Sequence, residues 1–207
     1  MSRYLRNTCT NPQGRILLLH GAGAPMDSDW MNTVATAFNE KELDVVRWEF
    51  NYMHQRRIDG KKRPPAKAPQ LLAELAVVVA DIAAWDDMPL IVAGKSMGGR
   101  MATLLQAQQP NLPIARLIAL GYPFHPTGKP DRLRVDHFPD ITCPLSIVQG
   151  TNDTMGGRDL VGSLNLPSEI EITWIEGGNH DLRPKGLKAG EVMGQLADTV
   201  RSIANQL

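Results

Sequence analysis

Leu90-Ile91-Val92-Ala93-Gly94-Lys95-Ser96-Met97-Gly98-Gly99-Arg100 decides the reading of this chain. An apolar, β-branched run predicts a buried strand, and the segment from Met97 predicts a helix that starts at once. Between them lies G-x-S-x-G. A strand that turns this sharply into a helix thrusts the serine above the end of a sheet, the arrangement known as a nucleophile elbow. Gly94 and Gly98 matter because a Cβ at either position would collide with the neighbouring turn of so tight a backbone. The motif alone is short enough to arise by accident. Its context gives it weight: a strand before it, a helix after it, and two chemical partners further along the chain.

Outward from the elbow, strand-like and helix-like segments alternate. Arg15–His20, Leu43–Phe50, Leu90–Ala93, Ile114–Leu120, Pro144–Gln149 and Ile170–Ile175 read as six strands. Asp29–Asn39 has helical period, with Trp30, Val34, Ala37 and Phe38 on one face. Gln70–Ala84, Met97–Gln109 and Lys188–Ala204 read as further helices, and Asn51–Pro69 as a polar, basic, proline-rich connection. This alternation implies right-handed crossovers and a mostly parallel sheet covered by helices on both faces. With 207 residues, no repeat and no shift in composition, the expectation is one α/β domain over residues 1–207.

Composition narrows the function classes. The chain has 22 basic and 22 acidic side chains and a formal net charge of zero, which argues against a surface built for nucleic acid or acidic membranes. No apolar run reaches the ~20 residues of a membrane helix, and the first residues carry no signal-like apolar stretch. Cys9 and Cys143 make neither a disulfide framework nor a zinc site. The histidines are scattered without metal-ligand spacing, so no metal and no cofactor is expected. These readings together point to a cytoplasmic protein acting on a small molecule, of undetermined oligomeric state.

In such sheets, ligands bind beyond the carboxyl ends of the strands, so reactive residues should follow strands directly. Asp153, in Gln149-Gly150-Thr151-Asn152-Asp153, and His180, in Gly177-Gly178-Asn179-His180-Asp181, both do. They follow Ser96 in the order serine, acid, histidine, at gaps of 57 and 27 residues. A serine hydroxyl needs a base to take its proton, and the base needs a third group to orient it. His180 is the candidate base and Asp153 its partner; the competing role for Asp153 is a cap on the short helix after Gly156. Asp181 braces the loop, His20 belongs to a different motif, and His125 and His137 do not match the order. The developing oxyanion needs two backbone N–H donors. Met97, after the serine and at the positive end of its helix, is one. His20-Gly21-Ala22-Gly23-Ala24 after the first strand supplies the other, from Ala22 or, second, Gly23.

The combination of HGAGAPMDSDWM, GKSMGGRMA, GYPFHPTGKPDRLR, VQGTNDTMG and GGNHDLRP resembles the KANSL3/Tex30 group of the α/β-hydrolase superfamily, related more distantly to dienelactone-hydrolase-type enzymes. The likeness runs from Ile16 to the end of the chain. It implies an α/β-hydrolase fold and places the catalytic triad on Ser96, Asp153 and His180. It supplies no reaction: some eukaryotic relatives serve in chromatin complexes. Dienelactone-type relatives use a cysteine nucleophile where this chain has Ser96, so their substrate does not transfer.

About twenty residues separate Leu120 from Ile141, which leaves no room for a large lid. An open site follows, with Gly23, Tyr122, Phe124 and His125 as candidate substrate-binding residues; the last three serve equally well as packing for their loop. The basic run Tyr52–Pro65 reads as a solvated loop, or as one that lays Arg56 or Arg57 over the site to hold a carboxylate or phosphate. Lys95 is ambiguous in the same way, and Trp30 and Met26 read as packing residues. The leading expectation is a lidless serine hydrolase acting on a small carboxylic ester or thioester through an acyl-enzyme, with amide cleavage possible on the same machinery. The other is a non-catalytic interaction module on the same fold.

Overall fold

The computed structural model describes residues 3–187 and 189–205. Seven strands form one sheet: β1 (Tyr4–Asn7), β2 (Gly14–Leu19), β3 (Leu43–Trp48), β4 (Leu90–Lys95), β5 (Arg116–Leu120), β6 (Leu145–Gly150) and β7 (Ile170–Ile175). Their order is β1-β3-β2-β4-β5-β6-β7, and every pair is parallel except β1 against β3. The helices are α1 (Asp29–Asn39), α2 (Asn51–Asp59), α3 (Ala68–Ala83), α4 (Met97–Gln108), α5 (Arg158–Gly162) and α6 (Ala189–Ala204). Lys188, where the sequence reading begins the last helix, lies outside the described residues.

The central strands are apolar at nearly every position because both faces of the sheet are covered. In β2, Leu17 and Leu19 join the core beneath α3 and α4, whereas Ile16 and Leu18 point to the opposite core with α1 and α6. All four are fully buried, and each contributes roughly 1.5–3 kcal/mol of transfer free energy. The same alternation recurs in β3, where Val46 and Trp48 face one core and Val45 the other. None of the helices among the described residues is long and apolar enough to cross a membrane.

Two elements differ from the sequence reading. β1 is a short antiparallel edge strand, pairing Tyr4 with Trp48 and Asn7 with Val45. Its four half-exposed residues carry too little pattern to register as a strand. The second is α2, which replaces most of the expected Tyr52–Pro65 loop. Its charged sequence has no apolar stripe; only Tyr52 and Met53 are buried, and Gly60 (φ +71°) ends it in the left-handed conformation. Tertiary anchoring, through those two residues and the ion pairs of Arg57 with Asp27 and Glu49, stabilises a helix that propensity does not announce. No lid interrupts the β5–β6 connection, which carries only a single 3-10 turn at Phe138–Asp140.

The elbow depends on two glycines. A Cβ on Gly94 would sit 2.3 Å from the Gly99 nitrogen, and one on Gly98 would sit 2.8 Å from the His20 carbonyl oxygen. Both obstacles are backbone and cannot rotate away. Gly94→Ala should therefore lower unfolding free energy by at least about 3 kcal/mol or abolish folding. Gly162→Ala, whose Cβ would enter open space, should stay within about 1 kcal/mol of the parent. Urea unfolding of both variants checks the contrast.

Candidate active site

Ser96 occupies the turn between β4 and α4 at φ +49° and ψ −112°, a conformation unusual for any residue other than glycine. Holding it there costs on the order of 1–3 kcal/mol. The structure offsets that cost: the Ser96 N–H donates to the Leu120 carbonyl at 3.0 Å, and the Arg100 N–H donates to the Ser96 carbonyl at 3.0 Å. The hydroxyl is thereby aimed at the loop after β7. His180 Nε2 lies 2.7 Å from Ser96 Oγ, and His180 Nδ1 lies 2.8 Å from Asp153 Oδ2.

Asp153 is 3 % exposed, on the turn after β6. It does not cap α5, whose N-cap is Gly157. Oδ1 accepts the Met155 N–H at 2.8 Å, and Oδ2 accepts both from His180 and from Gln149 Nε2 at 2.8 Å. Each carboxylate oxygen is thus satisfied, and the imidazole can sit only with its Nδ1–H toward the acid. Gln149 is fully buried and does more: its Oε1 accepts the Tyr122 N–H at 2.7 Å, and its Nε2 reaches the Tyr122 and Gly156 carbonyls. The sequence reading missed this residue. The available signal was a polar side chain near the end of a largely apolar strand.

His20 is the second residue whose role the motif concealed. Fully buried, it accepts the Phe50 N–H at Nε2 (3.2 Å) and donates Nδ1–H to the Gly21 carbonyl at 2.6 Å. That pair of bonds fixes the neutral tautomer. Because a trans peptide points its N–H opposite its C=O, anchoring the Gly21 carbonyl on the imidazole turns the Ala22 N–H away from it. Tyr52 Oη donates to the Ala22 carbonyl at 2.9 Å and Arg56 to the Gly23 carbonyl at 3.2 Å, so α2 holds the loop from its other side. Met97, the first residue of α4, has an N–H with no acceptor inside its own helix.

Lys95 is buried beneath the His180 loop and is not solvated. Its ammonium donates to the His180 carbonyl, lies 3.2 Å from Asp181 Oδ1, and sits 5.5 Å over the Trp30 ring. Trp30 Nε1 closes the set by donating to the Asp181 carbonyl at 3.1 Å. Burial pulls the Lys95 pKa down against the opposing pull of Asp181; burial pushes Asp181 up, but Lys95 holds its carboxyl below the usual range. Asp181 does brace the loop, and Lys95 and Trp30 brace it with Asp181.

Four expected substrate contacts are corrected. Tyr122 and Phe124 are fully buried and stack edge-to-face at 5.0 Å, so they pack the β5–β6 connection onto the body. His125 is 5 % exposed, with Nδ1 2.8 Å from the Pro126 carbonyl. Arg57 is spent internally, forked onto Asp27 (2.6 and 2.8 Å) and Glu49 (2.5 and 2.6 Å). Gly23, by contrast, does line the cleft.

Two cavities meet at Ser96. The larger, of about 600 Å³, is walled by Ala22, Gly23, Trp30, Lys95 and His180. The smaller, of about 260 Å³, lies on the Met97 side. Ala22, Ser96 and Met155 belong to both.

Burial lowers the His20 pKa below its ordinary value, so the folded chain keeps it neutral. An unfolded chain protonates the same ring near pH ~6.5, so its stabilising contribution is present above that value and is lost as pH falls. The urea midpoint should accordingly decline from pH 7.5 to pH 5. His20→Gln should lower the midpoint at pH 7.5 and flatten the decline; a wild-type midpoint independent of pH would contradict the assignment.

The profile of the alpha/beta hydrolase domain matches residues 12–207. Among solved structures, an alpha-beta serine hydrolase homologue from Coxiella burnetii superposes with a TM-score of 0.73 at 18% identity, over 97% of this chain and 89% of that one. A serine hydrolase without lid from Xanthomonas campestris gives 0.72 at 16% identity, over 98% and 88%. Dienelactone hydrolase from Anabaena variabilis gives 0.70 at 16% identity, over 96% and 88%. At these identities the likeness is one of fold. With its parallel sheet, its helices on both faces and its strand-to-helix turn at Ser96, the chain belongs to the α/β-hydrolase superfamily.

Proposed function

We propose that this protein is a serine hydrolase that cleaves small carboxylic esters or thioesters through an acyl-enzyme. What supports the reading is the unbroken hydrogen-bonded chain from Ser96 Oγ through His180 to buried Asp153, with open cavities on either side of the serine. Several relatives of like fold carry serine hydrolase or esterase names, Est1E from Butyrivibrio proteoclasticus among them.

The chemistry follows from the atoms. His180 Nε2 takes the Ser96 proton as Oγ attacks the substrate carbonyl, and the imidazolium that forms is stabilised by the Asp153 carboxylate. The oxyanion lies between the Met97 N–H, at the positive end of α4, and the Ala22 N–H, held outward by His20. His180 then returns the proton to the departing alkoxide or thiolate. A water, deprotonated by the same imidazole, attacks the acyl-enzyme and regenerates Ser96. The open cleft favours small acyl groups, since nothing folds over to seal a long chain from water. The alternative, an interaction module on this fold, would be favoured by Ser96 and His180 held apart or by a plugged pocket; neither feature is present among the described residues.

The protein should label stoichiometrically with a fluorophosphonate, read as an intact-mass shift, and should hydrolyse 4-nitrophenyl acetate or a short thioester. Ser96→Ala should abolish labelling. His180→Ala and Asp153→Asn should cut kcat/KM by about 10³-fold or more. A folded wild-type protein that neither labels nor turns over would favour the interaction module.

A further inference from the structure

We infer that the smaller cavity beside Ser96 is a subsite for a carboxylate carried by the substrate, received by Arg100 and Arg134. The inference rests on Ser96 being the nucleophile. It names the substrate class: esters or thioesters with a negative charge a few carbons from the reacting carbonyl.

The cavity shares Ala22, Ser96 and Met155 with the main cleft, so Ser96 borders both and a group attached to a carbonyl at Ser96 has the smaller cavity beside it. Beyond those walls its lining divides in two. Leu71, Met97 and Met101 make an apolar side, and Arg100 and Arg134 make a cationic one. At about 260 Å³ it holds a short chain with a small head group and nothing the size of a nucleotide.

The two arginines differ from the other inward-facing ones. Arg15 spends its guanidinium on Asp86, Arg57 on Asp27 and Glu49, and Arg47 on Asn32, Asn7 and the Met26 carbonyl. Arg100 and Arg134 have no carboxylate partner and no side-chain hydrogen bond among the described residues, and Arg100 Nε is buried without an acceptor. Nε of Arg15 and Arg47 is also unpartnered, but both residues bond through their other nitrogens.

Two like charges held close together without a counter-ion are unfavourable to the folded chain. Burial, and then the charge of Arg100, push Arg134 below its ordinary pKa. Arg100 also stands in the first turn of α4, where the helix's own positive end opposes a cation. His137, which feels the charge of Arg100 but does not line the cavity, is pushed down to about 4 by burial and then by Arg100, so it is neutral at pH 7 and neutralises nothing. Asp136 and Asp140 act on His137 from its own segment. An arrangement costly to stability and open toward the nucleophile suits an anion that arrives with the substrate, and the planar guanidinium fork fits a carboxylate.

The test compares esters of matched size. One pair is 4-nitrophenyl hemiglutarate against 4-nitrophenyl valerate, with the charge on the acyl side. The other is 4-acetoxybenzoate against its methyl ester, with the charge on the leaving group. In one pair, wild-type kcat/KM should favour the anion by about 10–100-fold. Arg100→Gln or Arg134→Gln should reduce that ratio about tenfold, the double variant should erase it, and Arg100→Lys should retain part of it. Each variant is checked for folding by thermal unfolding. Equal rates within both wild-type pairs, or a preference that survives the double variant, would overturn the inference. Calorimetry of glutarate on Ser96→Ala protein separates this failure from that of the hydrolase reading. Binding lost on adding Arg100→Gln and Arg134→Gln, without any ester turnover, keeps the subsite and rejects the hydrolase. Turnover with neither preference nor binding does the reverse.

Discussion

The turn at Ser96 is the constraint on which the remaining geometry depends. A strand that ends in the middle of a parallel sheet must leave it, and here the chain leaves by bending directly into α4. The bend is possible because Gly94 and Gly98 let the backbone of β4, of α4 and of the end of β2 touch. It places three things together: a hydroxyl above the sheet, a helix N-terminus behind it, and the β2 loop beside it. The strain at Ser96 is local, and the hydrogen bonds to Leu120 and Arg100 share it with β5 and α4.

Around that fixed point the structure uses buried polar side chains as spacers. Gln149 joins Asp153 to the backbone at Tyr122 and Gly156, so the acid cannot rotate without breaking several bonds. Lys95 ties the His180 loop to Asp181 and Trp30 from beneath. His20 sets the peptide plane of the loop that lines both cavities. Buried polar groups of this kind are costly unless satisfied, and each has its partners. They stabilise the fold less than the same volume of packed hydrocarbon would. What they supply is orientation, so that the serine, imidazole and carboxylate are held in line. Arg100, whose Nε is buried without an acceptor, breaks the pattern, and for that reason it stands out.

The fold was legible because central strands buried on both faces write themselves as apolar runs, and β4 and β5 begin and end within a few residues of those runs. The half-exposed edge strand β7 shows instead as an alternating Ile170-Glu171-Ile172-Thr173-Trp174-Ile175. The hydrogen-bonded trio of Ser96, His180 and Asp153 was legible through order and position, each member following a strand. What escaped was set by tertiary contact. Helix α2 has no apolar stripe and is held by Tyr52, Met53 and the Arg57 ion pairs. Edge strand β1 exists because β3 offers it a free side. Tyr122 and Phe124 sit after a strand, as site residues do, yet the chain there turns inward and buries them. Nothing local distinguishes an aromatic side chain facing a cleft from one facing a core. The bracing role of Lys95 likewise depends on a loop 85 residues away.

The proposed function requires that Ser96 carry the acyl group between two half-reactions. The most direct measurement is rapid acid quenching of the protein mixed with a short 4-nitrophenyl ester, followed by intact-mass analysis and peptide mapping. A single acyl adduct should appear on the peptide containing Ser96, accumulating within one turnover and disappearing as substrate is consumed. Product release with no adduct at any time, or an adduct on Cys9 or Cys143 in place of Ser96, would contradict it.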